Sequence, residues 1–222
     1  TGYEKPVPRE EVYDIDWKTL DNETSRIDNF FPVLTKSMCD ESAFALDPRS
    51  REDHRKNKTL GTLVASKGCV ARCTFCHRWD ASIRYIPVPI LMERLREIID
   101  RYNVGFVVWG DENFGTWDKW IKEFCSAITE FDVLWRVSGM RVNSVSLETL
   151  EMMREAGCSA VYFGMETGSP KMLKVMEKKT KQEQNENALK WIHEAKLHTT
   201  MQLLLGMPGE NWDTIKETGD FV

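Results

Sequence analysis

Three cysteines crowd into eight residues, Cys69-Val-Ala-Arg-Cys73-Thr-Phe-Cys76, and this spacing is the strongest chemical signal in the chain. Three thiolates so close in sequence can turn onto one centre only from a loop, and Gly68 supplies backbone freedom at its entrance. A [4Fe–4S] cluster has four irons, so three cysteines leave one iron open to an outside ligand; a purely electron-carrying ferredoxin closes that position with a fourth cysteine. The same thiolates plus a histidine would suit a structural zinc instead. His77 directly follows Cys76, which makes joint coordination awkward, and there is no second Cys-x-x-Cys pair. Cys39, Cys125 and Cys158 stand singly and read as small buried apolar residues rather than ligands.

A loop can aim three thiolates only if regular elements hold its ends, and from Thr59 onward the sequence alternates between the two periodicities. Short apolar runs at 59–66, 105–109, 133–137, 160–165 and 200–205 read as strands. Between them, apolar residues recur at helical spacing: Ile90, Leu91, Leu95, Ile98 and Ile99, then Trp117, Trp120, Ile121, Phe124, Ala127 and Ile128 after a Thr116 N-cap. Ser146 and Gly157 bracket a third helix, Ser169-Pro170 starts another, and Thr180 with Glu183 has capping-box spacing for the next. A last helix begins near Asn211. Five strand–helix units imply parallel strands with right-handed crossovers, in a barrel or an open doubly wound sheet.

Chemistry in parallel βα folds gathers at the carboxyl ends of the strands. The polar oddities of this sequence fall there. Gly110-Asp111-Glu112 follows the second strand, Arg136, Ser138 and Arg141 end the third, Glu166 follows the fourth, and Gly206 with Glu210 follows the fifth.

The remainder bounds the protein. With 222 residues, 41% hydrophobic, the chain supports one sizeable core. Thirty basic against 35 acidic residues give a net charge of −5, with no basic stripe to attract nucleic acid. No apolar run is long enough to span a bilayer. Clustered cysteines in a chain of this size point to metal binding in a reducing compartment, with the cytoplasm expected. Residues 1–58 are punctuated by prolines and sparse in apolar residues, and are expected to be a lead-in segment with little core of its own, before a core domain at 59–222. The opening Thr1 and the unfinished last helix suggest a piece of a longer parent.

The Cys-x-x-x-Cys-x-aromatic-Cys loop, with Phe75 as the aromatic and a strand before it, resembles the radical S-adenosylmethionine (SAM) superfamily. The resemblance implies a partial (β/α)6 barrel with about five units present. It implies that the open iron of the cluster chelates SAM and that reductive cleavage yields a 5′-deoxyadenosyl radical. By the same resemblance, Gly110-Asp111-Glu112 corresponds to the segment contacting the SAM amine, with Glu112 favoured. Phe75 presents backbone to the adenine, Ser138 and Arg141 contact the carboxylate or ribose, and Glu166 and Gly206 are further cofactor contacts. Asp111-Glu-Asn-Phe114, Gly164-Met-Glu-Thr-Gly168 and Leu205-Gly-Met-Pro-Gly-Glu210 resemble the cobalamin-dependent branch. That branch implies an upstream corrinoid-binding domain, a flavodoxin or ferredoxin as electron donor, and methyl transfer to an unactivated carbon. A cobalamin-independent enzyme and a non-catalytic cluster or zinc module are the rival readings.

Overall fold

The computed structural model describes residues 26–34, 43–52, 57–77 and 82–222, and Cys39 lies outside them. Five strands form one parallel sheet: β1 (Thr59–Leu63), β4 (Val104–Trp109), β5 (Leu134–Met140), β6 (Cys158–Glu166) and β7 (Met201–Leu203). They lie side by side in chain order, each parallel to the last. A doubly wound sheet reverses its strand order at a switch point; this sheet does not, so its order is that of a TIM-like barrel wall.

The crossovers are helical. They comprise α3 (Val88–Tyr102), α4 (Asp118–Ile128), α5 (Leu147–Glu155), α6 (Pro170–Val175) and α7 (Gln182–Glu194), with α8 (Trp212–Phe221) after β7. Ser146, Ser169 and Asn211 cap their helices through side-chain oxygens, and Gly157, at φ +98°, follows the end of α5. Two expected caps move. Trp117, not Thr116, precedes α4, because Tyr85 Oη accepts the Thr116 N–H at 2.8 Å and holds that residue outside the helix. Trp117 is therefore more than half exposed rather than core, while Trp120 is buried. Lys181, not Thr180, precedes α7, and Gln184 Oε1 accepts its N–H at 2.9 Å.

The helices cover one face of the sheet. Val107, Trp109, Trp135, Val137, Val161 and Phe163 meet them in a continuous core, centred on Trp109, Phe114, Trp120, Phe124 and Trp135. Phe114 stands edge-on to both Trp120 and Phe124 at about 5 Å, a preferred aromatic geometry. The opposite face carries Leu60, Phe106, Val108 and Leu134, and these are covered by Leu34 and Phe44 from the lead-in. Where 1–58 is described, Phe31, Leu34 and Phe44 are thus buried, while Phe30, Val33 and Leu46 stay exposed. Phe44, in α1 (Ala43–Leu46), packs 4.8 Å from the Phe106 ring, and Pro32 and Leu34 bond to the edge of β1.

The lead-in is also pinned by charge. Asp47, just before α2 (Pro48–Glu52), is buried between Arg49 and Arg154, and Arg49 Nη2 donates on to the Cys158 carbonyl at 2.8 Å. Burial pushes the Asp47 carboxyl up, but hydrogen bonds from Arg49 and Arg154 outweigh it and hold the pKa at about 2. A depressed carboxylate contributes stability above its unfolded pKa and loses it as pH falls through the folded one. We expect about 2 kcal/mol of stability to disappear between pH 4 and 2. Chemical unfolding as a function of pH tests this, since Asp47→Asn should already lack that component at pH 7 and flatten the acid limb.

Candidate active site

The cysteine loop leaves the sheet at β1 and is closed by a two-stranded hairpin, β2 (Ser66–Lys67) against β3 (Arg84–Tyr85). Gly68 takes φ +91°, as the sharp entrance to the loop requires. Within the loop the Cys76 N–H donates to the Cys73 carbonyl at 3.2 Å, and the Thr74 N–H donates across to the Met176 carbonyl at 3.0 Å. The loop is thereby strapped to the end of α6. Cys69, Cys73 and Cys76 are free thiols lining one cavity of about 450 Å³. They ring it rather than converge, and among the described residues no three Cys, His, Asp or Glu side chains are gathered as for a single ion. Desolvation raises the Cys76 thiol, and the neighbouring Cys73 and Cys69 add to the rise, as expected of thiols sharing a site.

Glu112 reaches the same cavity from the loop after β4, held by an anchor on each side. On one side Asp111 is buried, taking hydrogen bonds from Ala65 N–H at 3.1 Å and Ser66 Oγ at 2.5 Å. On the other, Phe114 sits in the aromatic core and its N–H donates to the Gly139 carbonyl at 2.9 Å. Gly139 has to be glycine, because a Cβ there would lie 2.7 Å from the Asp111 carbonyl oxygen. Burial raises the Asp111 carboxyl to about 6 despite its hydrogen bonds from Ser66 and Ala65. Asp111 therefore ties the start of the cysteine loop to the Glu112 loop and does not face the cavity. Gly110 acts similarly, donating to the Leu63 carbonyl at 2.8 Å.

Arg141, Phe75 and Glu166 of the expected residues also line the cavity. The Arg141 guanidinium donates to Cys73 Sγ at 3.7 Å and to the Lys178 carbonyl. Glu166 adopts φ +67° at a register shift in β6, which turns its carboxylate toward Lys178; the Oε1–Nζ distance is 2.6 Å with both side chains largely buried. The Lys178 ammonium also stands 5.8 Å from the centroid of Phe75. Gly164 keeps this pair in place, since a Cβ there would lie 2.5 Å from Glu166 Oε1. Ser138 and Gly206 are not brought to the cavity. Ser138 Oγ bonds Arg136 instead, and the Gly206 N–H donates to Glu210 Oε2 at 2.6 Å within its own turn. Lys178 and Gln202 line the cavity without having been singled out from sequence. Lys178 lies in Glu-Lys-Lys, a run that reads as a solvated face, and only its place one helix beyond Glu166 could have flagged it.

Cys125 and Cys158 are buried in the core away from this cavity. Burial pushes the Cys125 thiol up to about 12 and Cys158 higher still, so both are inert as nucleophiles or ligands.

Residues 63–222 match the family model of the radical SAM superfamily. The chain belongs to the radical SAM superfamily. It is 28% identical over 171 residues to an uncharacterized methyltransferase of Pyrococcus horikoshii, covering 73% of this chain and 36% of that protein. It is 27% identical over 168 residues to the anaerobic magnesium-protoporphyrin IX monomethyl ester cyclase of Rubrivivax gelatinosus, covering 73% and 30%. It is 27% identical over 166 residues to the cytidylyl-2-hydroxyethylphosphonate methyltransferase of Streptomyces wedmorensis, covering 71% and 31%. This radical SAM chain thus spans about a third of the length of the curated relatives it matches. Among solved structures it is similar to the cobalamin-dependent SAM radical enzyme OxsB with aqua-cobalamin and SAM bound, with a TM-score of 0.65 and 25% identity over 75% of this chain and 26% of that one. TsrM from Kitasatospora setae, a radical SAM methyltransferase with cobalamin and a [4Fe–4S] cluster bound, shares the fold at a TM-score of 0.65 and 20% identity, over 75% and 34%. No helix among the described residues is long and apolar enough to cross a membrane.

Proposed function

We propose that this chain is the core of a radical SAM enzyme in which Cys69, Cys73 and Cys76 hold a [4Fe–4S] cluster beside a SAM site. One observation carries the reading: three free thiols share a cavity with Glu112, Arg141, Glu166 and Lys178, drawn from the ends of different strands and the segments after them. The donor set fits the cluster, because thiolates are its ligands and three of them leave one iron open. When bound, the cluster supplies the electron for SAM cleavage and the open iron for the SAM amino and carboxylate groups.

The protein's own residues then orient and shield. Glu112 accepts hydrogen bonds from the SAM ammonium, and the Arg141 and Lys178 cations hold its carboxylate by charge-assisted hydrogen bonds. Phe75 borders the adenine side, and Glu166 fixes Lys178. A low-potential donor such as flavodoxin or ferredoxin supplies the electron, in a cytoplasmic setting that keeps the thiols reduced.

For the whole parent protein we favour cobalamin-dependent methyl transfer to an unactivated carbon, with a corrinoid-binding domain upstream. The relatives named methyltransferases and the likeness to OxsB support this. The cyclase among the relatives keeps a second reading, radical chemistry on a substrate skeleton without methyl transfer. Cobalamin content and methylated product in the purified parent separate the two.

Anaerobic reconstitution tests the core reading: about four irons per chain with reductant-dependent SAM cleavage is expected, and tight zinc without iron would overturn it. Glu112→Gln keeps the shape of the side chain and removes its charge, so SAM affinity measured by calorimetry should fall by about 1–3 kcal/mol. Wild-type affinity in that variant would remove Glu112 from the site.

A further inference from the structure

Above Phe44, the sheet face opposite the crossover helices opens toward solvent and presents a cation that the SAM site does not use. Side chains alternate across a strand, and Leu134 and Val108 both belong to the face opposite the crossover helices. Arg136 is two residues beyond Leu134 and in register with Val108, so it lies on that face; Ser138 follows on the same side. Thr62 and Val64 of the neighbouring wall are exposed there, so the cleft above the plug is open.

The Arg136 guanidinium is oriented by two neighbours. Nη1 donates to Ser138 Oγ at 3.1 Å, and the guanidinium carbon stacks 4.7 Å from the Tyr162 ring centroid. Both contacts come from polar or aromatic groups, and among the described residues no carboxylate forms an ion pair with it. A guanidinium fixed in direction, half-buried and without an anionic partner among the described residues is suited to receive one. Farther along β6, on the same face, Gly164 and Glu166 line the cysteine cavity.

We propose that this cleft is the substrate site, and that Arg136, positioned by Ser138 and Tyr162, binds an anionic group of the substrate, a carboxylate or a phosphate or phosphonate oxyanion. The assignment rests on the radical SAM reading of the adjoining cavity for its role, but anion binding is measured independently of SAM. A planar guanidinium offers paired N–H donors that match either oxyanion, and the Tyr162 face costs it no hydrogen-bonding edge.

The test uses the reconstituted full chain with inorganic phosphate and acetate as probes. Phenylglyoxal labelling of Arg136, read by peptide mass spectrometry, should be slowed by one or both anions and not by chloride at equal ionic strength. Preference for phosphate identifies a tetrahedral oxyanion, and preference for acetate a carboxylate. Calorimetric anion affinity should drop by about tenfold in Arg136→Gln and largely return in Arg136→Lys. Absence of protection by either anion, or equal protection by chloride, overturns the proposal. Loss of SAM affinity in Arg136→Gln alongside anion affinity would also overturn it, by moving Arg136 into the SAM site. Failure of the SAM reading shows separately, as wild-type protein that binds phosphate or acetate but takes up no cluster.

Discussion

Cys76→Ala will leave the reconstituted protein without its iron and without reductant-dependent SAM cleavage, while its fold remains intact. Cys76 is exposed at the mouth of the cavity, so its removal opens no hole in the core. The loss then reports on ligation and not on packing. Cys73 is buried beneath the Arg141 guanidinium, so Cys73→Ala should show the same iron loss with an added stability cost. Cys69→Ala completes the set. The contrast lies with Cys125 and Cys158, which are more buried than any of the three and whose truncation removes only packing, about 1 kcal/mol. Those variants should retain about four irons per chain and SAM cleavage near wild type. Iron analysis with the visible absorbance of the cluster, beside an unfolding curve for each variant, reads both quantities. Full iron retention in Cys76→Ala, or its loss in Cys125→Ala with the fold unchanged, sinks the assignment.

The parts of the site that were legible in the sequence share one property: their chemistry is local. Three cysteines in eight residues, a glycine at the loop entrance and an acid directly after a strand need no tertiary knowledge. The strand–helix alternation was equally plain, because buried parallel strands are short and apolar and Ser146, Ser169 and Asn211 announce their helices. What could not be read depends on distance across the fold. Asp111 and Glu112 are adjacent and chemically alike, yet one points to Ala65 and Ser66 and the other to the cavity. Only the position of the hairpin β2–β3 decides between them. Ser138 fits a cofactor contact by its place on β5, but its hydroxyl accepts from Arg136 instead and does not line the cavity. Phe44 lies in a lead-in sparse in apolar residues, yet it covers the face opposite the crossover helices, because a curved sheet has an inner side that something must cover.

Lys178 shows the same limit at its sharpest and carries the second large effect. Lys178→Met should destabilise the protein by about 3–5 kcal/mol, because it leaves the Glu166 carboxylate enclosed without its partner. The two side chains are only 7% and 12% exposed, so water replaces little of what is lost. Glu166 has no easy retreat, since its backbone is held at φ +67° by the register shift between β6 and β7. The pair need not be a net stabiliser for this to hold. Desolvating both ions costs nearly as much as their attraction returns, and the large penalty arises from breaking one side. Glu166→Gln/Lys178→Met should therefore be more stable than Lys178→Met alone, with a coupling of about 1–3 kcal/mol in the double-mutant cycle. Urea unfolding without SAM measures this apart from any cofactor effect. Both Lys178 variants should still bind SAM more weakly, because the cation proposed to hold the SAM carboxylate is gone. A cost under about 1 kcal/mol in Lys178→Met would mean that the pair is solvated like a surface ion pair. The cavity would then not be the dry, preorganised site that radical chemistry on SAM requires.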